Sequence, residues 1–265
     1  MNKVVVVSGA SSGIGYAIAT LLHNQGYQVI GLSRTLPKLP YAYDYLLADI
    51  TNEKQVNDVA EKIANDYGHV YALINCAGMG ISGAVEHTQL TEVQKILNVN
   101  IVGAFLMSKA FIPQLRGHKG SKIINMSSVA GELTVPFQTF YSMTKSAMNA
   151  FTAGLALELK PFGISVGSIL PGDTATNFTQ NREKSAVETD EFYQDRIKRS
   201  IERMEKDELN GKDPMSVAIV VAKLLKKKRL PLMVTVGFQY KLFVFLKRIL
   251  PTRLVQYILY QLYSK

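Results

Sequence analysis

An α/β fold, built as a doubly wound parallel sheet in a single domain, is predicted by three features of the sequence. Short β-branched runs alternate with amphipathic helical stretches through the first half of the chain. A glycine-rich turn follows the first of those runs at once. The 265 residues are enough for one large domain, and 47% apolar against 19% charged residues is a globular balance.

The elements follow in order. VVVV (4–7) reads as a buried strand, and GIGYAIATLLHNQG (13–26) as a helix that Gly26 ends. QVIGLS (28–33) and DYLLAD (44–49) are the second and third strands. Between Thr35 and Tyr43 the prolines Pro37 and Pro40 leave little room for a crossover helix, so an irregular loop is expected. A helix over 53–67 leads into VYALINCAG (70–78), a strand that runs into a glycine turn. A long helical region with room for one break covers 89–115. SKIINMSS (121–128) is the next strand, 139–160 a helix, and GISVGSILPG (163–172) another strand. Residues 178–213 are highly charged, helical in pattern and without a strand signal. Pro214 opens a helix that runs to KKKR (226–229), and LMVTV (232–236) is the last strand.

Composition narrows the function. The start, MNKVVVVSGASSGIG, lacks the character of a signal peptide, and no run of about 18 apolar residues appears, so no membrane span is expected. A single cysteine, Cys76, excludes an internal disulfide and suits a reducing cytoplasm. His23, His69, His87 and His118 lack metal-ligand spacing, and no metal is expected. The net charge of +9 is uneven: the last 43 residues, from Lys223 on, hold ten Lys or Arg and no acid. Aliphatic residues interleave with those cations, so nucleic acid is not the expected partner.

Two stretches carry chemistry. SGASSGIG (8–15) sits between the first strand and the first helix, where glycines let the backbone approach a ligand and the helix N-terminus offers free N–H groups to a phosphate. Its spacing is GxxxGxG rather than GxGxxG. YSMTK (141–145) places a tyrosine one helical turn ahead of a lysine, so a phenol and a cation share a face.

Together with NCAG (75–78), NVNIVG (98–103), Ser128 thirteen residues before Tyr141, and PGDTAT (171–176), these motifs resemble the short-chain dehydrogenase/reductase family in its single-domain, Rossmann-fold branch. The match runs over residues 3 to 236, with Ser8 where threonine is usual and Cys76 replacing an asparagine. The resemblance implies an oxidoreductase that interconverts a ketone or aldehyde with its alcohol. It implies Tyr141 as general acid in reduction or base in oxidation, Ser128 as hydrogen-bond donor to the developing alkoxide, and Asn100 as anchor of a proton-relay water. Lys145, with the positive nicotinamide of the oxidised cofactor, would lower the phenol's pKa and also hold the nicotinamide ribose. For the cofactor it implies Gly9, Ser11, Ser12, Gly13 and Gly15 at the phosphates, with Ile14 an apolar wall. Asp49 and Ile50 fall at the adenine, Asn75, Ala77 and Gly78 at the ribose, and Pro171, Gly172, Thr174 and Thr176 at the nicotinamide. Ser33 stands where an NAD-selecting acid would sit and Arg34 follows, which favours NADP(H).

The expected organisation is a Rossmann-type domain over 1–236, a lid at about 177–212, and a basic amphipathic extension over 237–265. Asn177, Phe178 and Phe192 are candidate pocket contacts on a lid whose charges read as a solvated outer face. In the family arrangement the apolar loop residues Met79, Gly80, Leu133, Phe137 and Phe140 lie near the catalytic elements, and relatives with similar tails act on steroids, retinoids or keto-lipids, so the resemblance implies a lipophilic substrate. In the extension two amphipathic helices flank Pro251, suited to an anionic membrane surface, a subunit contact or a flap over the substrate site. The competing readings are a 3-oxoacyl-carrier reductase and a non-catalytic NADP(H) sensor or scaffold. The resemblance makes helices 89–115 and 139–160 a subunit surface, where the small residues Ala147, Ala150, Ala153 and Gly154 permit close approach, so a homo-oligomer, dimer or tetramer, is expected.

Overall fold

The computed structural model describes residues 3–184 and 190–265. The chain runs β1 (Val4–Ser8), α1 (Gly13–Asn24), β2 (Gln28–Ser33), β3 (Asp44–Leu47), α2 (Glu53–Tyr67), β4 (Ala72–Asn75) and a two-residue β5 (Ile81–Ser82). Next come α3 (Leu90–Leu97), α4 (Gly103–Arg116), β6 (Lys122–Met126), α5 (Thr139–Glu158), β7 (Ser165–Leu170) and β8 (Glu183–Lys184). The last elements are α6 (Arg196–Leu209), α7 (Met215–Leu225), β9 (Met233–Thr235), α8 (Phe238–Ile249) and α9 (Thr252–Tyr263).

Seven strands form one parallel sheet in the order β3-β2-β1-β4-β6-β7-β9. The period of two in β1 shows why both faces are covered. Val5 and Val7 pack with Ile18 and Leu22 of α1 and Val217 and Val221 of α7. Val4 and Val6 pack with Ile63 of α2 and Met107, Phe111 and Leu115 of α4. Each such fully buried side chain contributes about 1.5–3 kcal/mol. The strand order reverses at β1 and β4, so a crevice opens beyond their C-terminal ends, where doubly wound sheets bind ligands.

Most predicted elements appear, trimmed where the chain turns. The third strand stops at Leu47 and the fourth covers only Ala72–Asn75. The helical region at 89–115 is interrupted by a π-helical stretch, Asn98–Val102, which holds Asn100. By length and composition the run Leu90–Arg116 is apolar enough to cross a membrane, but Met107, Phe111 and Leu115 spend that hydropathy in the core. The charged segment is not purely helical: Glu183–Lys184 pairs in parallel with Ile81–Ser82. Its helix is α6, and residues 185–189 of the expected lid lie outside the described residues.

The extension folds as the two helices expected around Pro251, and both lie on the body. Tyr240 and Val244 of α8 pack with Val129, Leu133 and Leu170, and Tyr263 of α9 packs with Ile197, Ile201 and Met204 of α6. Tyr240, Val244 and Lys247 fall on one face, and Lys247 Nζ reaches Glu132 Oε2 at 3.0 Å.

Candidate active site

The turn after β1 is shaped by close approach. Gly9 has φ +70, and a Cβ there would sit 2.7 Å from the Cα of Ala77, while one on Gly15 would strike the carbonyl oxygen of Gly9 at 2.2 Å. Ser8 ties this turn to the one after β4, its hydroxyl accepting from the backbone N–H of Cys76 at 3.1 Å and Ala77 at 3.4 Å. Ser12 caps α1 without a side-chain hydrogen bond, so the first-turn N–H groups are presented to a ligand. The cradle fits a dinucleotide pyrophosphate. Gly13 borders Thr176, whose hydroxyl accepts from Phe178 N at 3.1 Å, and Thr174 Oγ1 donates to the Gly172 carbonyl at 2.9 Å.

The four expected catalytic side chains converge from the ends of β6 and α5 and from the π-helical stretch. Ser128 follows β6, accepts from Ala130 N at 3.1 Å and hydrogen-bonds the Tyr141 phenol. Lys145 Nζ lies 5.6 Å from the Tyr141 ring centroid and donates to the Met126 carbonyl at 2.9 Å. Asn100 is buried; its Oδ1 accepts from Met79 N at 2.8 Å, and its Nδ2 donates to Met79 O and Thr144 Oγ1, both at 3.0 Å. Gly78 links the two, since a Cβ there would lie 3.3 Å from Asn100 Oδ1 and 3.6 Å from Lys145 Nζ.

Electrostatics follow from burial. Desolvation pushes the Tyr141 phenol up to about 12; the Ser128 bond and Arg182 oppose that rise, while Glu208 and Asp173 add to it. Burial brings Lys145 down to about 8. Cys76 is a half-buried thiol, pushed up to about 12 by desolvation, with Lys145 opposing.

The structure places the other expected site residues as follows. The Asn75 side chain turns inward: its Nδ2 donates to Asn125 Oδ1 at 2.9 Å and Ser108 Oγ at 3.2 Å. Phe192 is 83% exposed and is no pocket contact. Asn177 is also exposed, whereas the Phe178 ring lies tilted against the Tyr141 ring, 5.5 Å between centroids. Phe137 is buried against Tyr193 in the lid at 5.9 Å. Asp49 Oδ1 accepts from Thr51 N at 2.9 Å and Thr51 Oγ1 at 2.8 Å, and the helix cap is Asn52. The Ile50 side chain is buried and packs against Gly103.

Other residues border the site that the motifs do not mark. The lid's charges are not all solvated: the Arg182 side chain is 1% exposed and pairs with Glu208, which also accepts from Thr179 Oγ1 at 2.6 Å. Asp173, in the variable part of PGDTAT, accepts from the Tyr240 hydroxyl at 2.5 Å. The Tyr240 ring takes the place of a side chain on Gly172, where a Cβ would fall 2.2 Å from it. The extension is therefore seated on the loop beside the catalytic residues. Asp173 is a charge inside a motif, which is a readable signal; its partner 67 residues away is not.

The short chain dehydrogenase family model matches residues 3–186, and the chain belongs to that family: it is an oxidoreductase acting on carbonyl and alcohol groups. It is 38% identical over 264 residues to the 3-ketodihydrosphingosine reductase of Bacteroides thetaiotaomicron, covering 99% of this chain and 98% of that protein. Among solved structures, a short-chain dehydrogenase from Streptomyces avermitilis superposes with a TM-score of 0.84 at 28% identity, covering 98% of this chain and 97% of that one. ElxO with NADP bound gives a TM-score of 0.75 at 25% identity, covering 91% and 99%.

Proposed function

We propose that the chain reduces the ketone of a long-chain amino ketone with NADPH. The observation that carries this reading is the aromatic wall of Tyr141, the Phe178 ring at 5.5 Å, with Asp173 and the Arg182–Glu208 pair beside it. An aromatic wall suits the alkyl chain of such a substrate. The full-length similarity to a 3-ketodihydrosphingosine reductase supports the same substrate class.

Gly9, Ser11, Gly13 and Gly15 would hold NADPH, which would supply the hydride when bound. Tyr141 gives its proton to the carbonyl oxygen, and Ser128 donates a hydrogen bond to that oxygen as its negative charge grows. Lys145 and Asn100, which share the border of Gly78, hold the ribose side and return a proton toward Tyr141. Lys145 acts here as a charged neighbour one helical turn from the phenol. NADPH oxidation by the purified chain is expected to be at least about tenfold faster with 3-ketodihydrosphingosine than with a steroid ketone or a 3-oxoacyl thioester. Preference for the thioester would replace this reading with the carrier-bound reductase, and silence with all three would leave a cofactor sensor.

The choice of NADPH rests on the end of β2. Ser33 donates to the Thr35 carbonyl at 2.6 Å and lies 2.5 Å from the Tyr45 hydroxyl, which leaves exposed Arg34 as the cation for a 2′-phosphate. Arg34→Glu is expected to lower kcat/KM for NADPH by about 10–100-fold, the value of one charge-assisted hydrogen bond, and to spare NADH. An unchanged NADPH to NADH ratio would move the selectivity elsewhere. A homo-oligomer through α5 is supported by the exposed stripe Met143, Ala147, Ala150, Gly154 and Leu157.

A further inference from the structure

We propose that the outer face of α8, with the basic cleft beside it, docks on the surface of an anionic phospholipid bilayer. The inner face of α8 is spent on the body through Tyr240, Val244 and Lys247. Opposite it, Phe238, Leu242, Phe245 and Ile249 repeat at helical spacing and are 81%, 44%, 58% and 61% exposed. Such a stripe, apolar and two to three turns long, is what a helix lying in the plane of a membrane presents to the acyl boundary.

Charge selects the occupant. A cleft of about 370 Å³ runs between α8 and the edge strand β9, lined by Lys227, Lys241 and Arg248 together with Val244 and Phe245. Lys241 and Arg248 border the apolar stripe on one side. Lys227 also lines a neighbouring cleft of about 470 Å³ that adds Lys226 and Lys228. Neither lining contains an acidic residue. From Lys223 onward the sequence has none to offer. A second copy of the chain meeting this face about a two-fold axis would set cation against cation without a counter-charge. Anionic headgroups supply that counter-charge in a layer, with hydrocarbon directly beneath for the phenylalanines. The opposite face of the same helix touches the Gly172–Asp173 loop, so the docked protein would hold its substrate loop one helix diameter from the lipid.

Flotation of the full chain with vesicles tests this without any turnover. Phosphatidylcholine vesicles are compared with an equimolar mixture with phosphatidylglycerol, at low and at molar salt. The wild-type chain is expected to float with the anionic vesicles at low salt and to be released by salt. Lys227→Glu/Lys241→Glu/Arg248→Glu is expected to lower the partition by about 100-fold or more. Phe238→Ser/Phe245→Ser is expected to lower it by at least about tenfold. Both variants should keep the wild-type circular dichroism and melting profile. Equal flotation with neutral vesicles, wild-type flotation by either folded variant, or a soluble dimer that the phenylalanine variant converts to monomer would overturn the proposal. If one variant misfolds, the other together with the salt and headgroup dependence of the wild type decides. A chain that floats but reduces no amino ketone would refute the substrate reading alone.

Discussion

Tyr141→Phe is expected to lower NADPH-dependent turnover by about 10³-fold while leaving the fold intact. The substitution removes one oxygen, and with it the proton donor and the bond to Ser128. General acid catalysis by a positioned group accounts for about 10²–10⁴-fold. Because Ser128 and Tyr141 act on the same substrate oxygen, Ser128→Ala added to Tyr141→Phe should cost far less than the product of the single losses. Steady-state kinetics of the two singles and the double check this, with the melting temperature as control for folding. A tyrosine variant within tenfold of the wild type would remove Tyr141 from the chemistry.

Lys145→Met is expected to abolish turnover, by about 10²-fold or more, and at the same time to stabilise the protein at neutral pH. Burial lowers the ammonium's pKa from 10.5 to about 8, with Cys76 opposing. Between those two values the unfolded chain binds the extra proton, so wild-type stability rises with pH across the window from about 8 to 10.5. Below about 8 the cost of a buried charge is present in full. Methionine removes that cost and gives up the bond to the Met126 carbonyl, for a net gain on the order of 1 kcal/mol at pH 7 that fades as the pH nears 10.5. Urea unfolding of both proteins at neutral and alkaline pH measures it. A methionine variant less stable than the wild type at pH 7 would show that the ammonium's hydrogen bond outweighs its desolvation.

What the sequence made legible was local. The valine run of β1, the glycine turn, and the tyrosine–lysine pair on α5 are short-range patterns with a mechanism behind each, and the structure brings Ser128, Tyr141, Lys145 and Asn100 together as the family pattern implies. Boundaries moved by a few residues because β3 and β4 give way to turns as soon as their chain leaves the sheet. Asn75 belongs to a motif, but the motif does not say that strand alternation turns its side chain toward Asn125. The lid was least legible. Its charges at helical spacing describe a solvated face equally well, and only the fold brings Arg182 onto Glu208, 26 residues away. The two-residue ladder between β5 and β8 is too short for any pattern to announce.

The seat of Tyr240 on Gly172 has a consequence for how such chains diverge. The ring occupies the volume a Cβ would need at position 172, and its hydroxyl is tied to Asp173. Any side chain at 172 would evict the aromatic, and loss of the aromatic would leave a hollow against the loop. Positions 172, 173 and 240 thus form a single heritable unit spanning the motif and the segment after the sheet. Recombination between related genes that exchanged the two helices alone would succeed only where the recipient already carried that glycine.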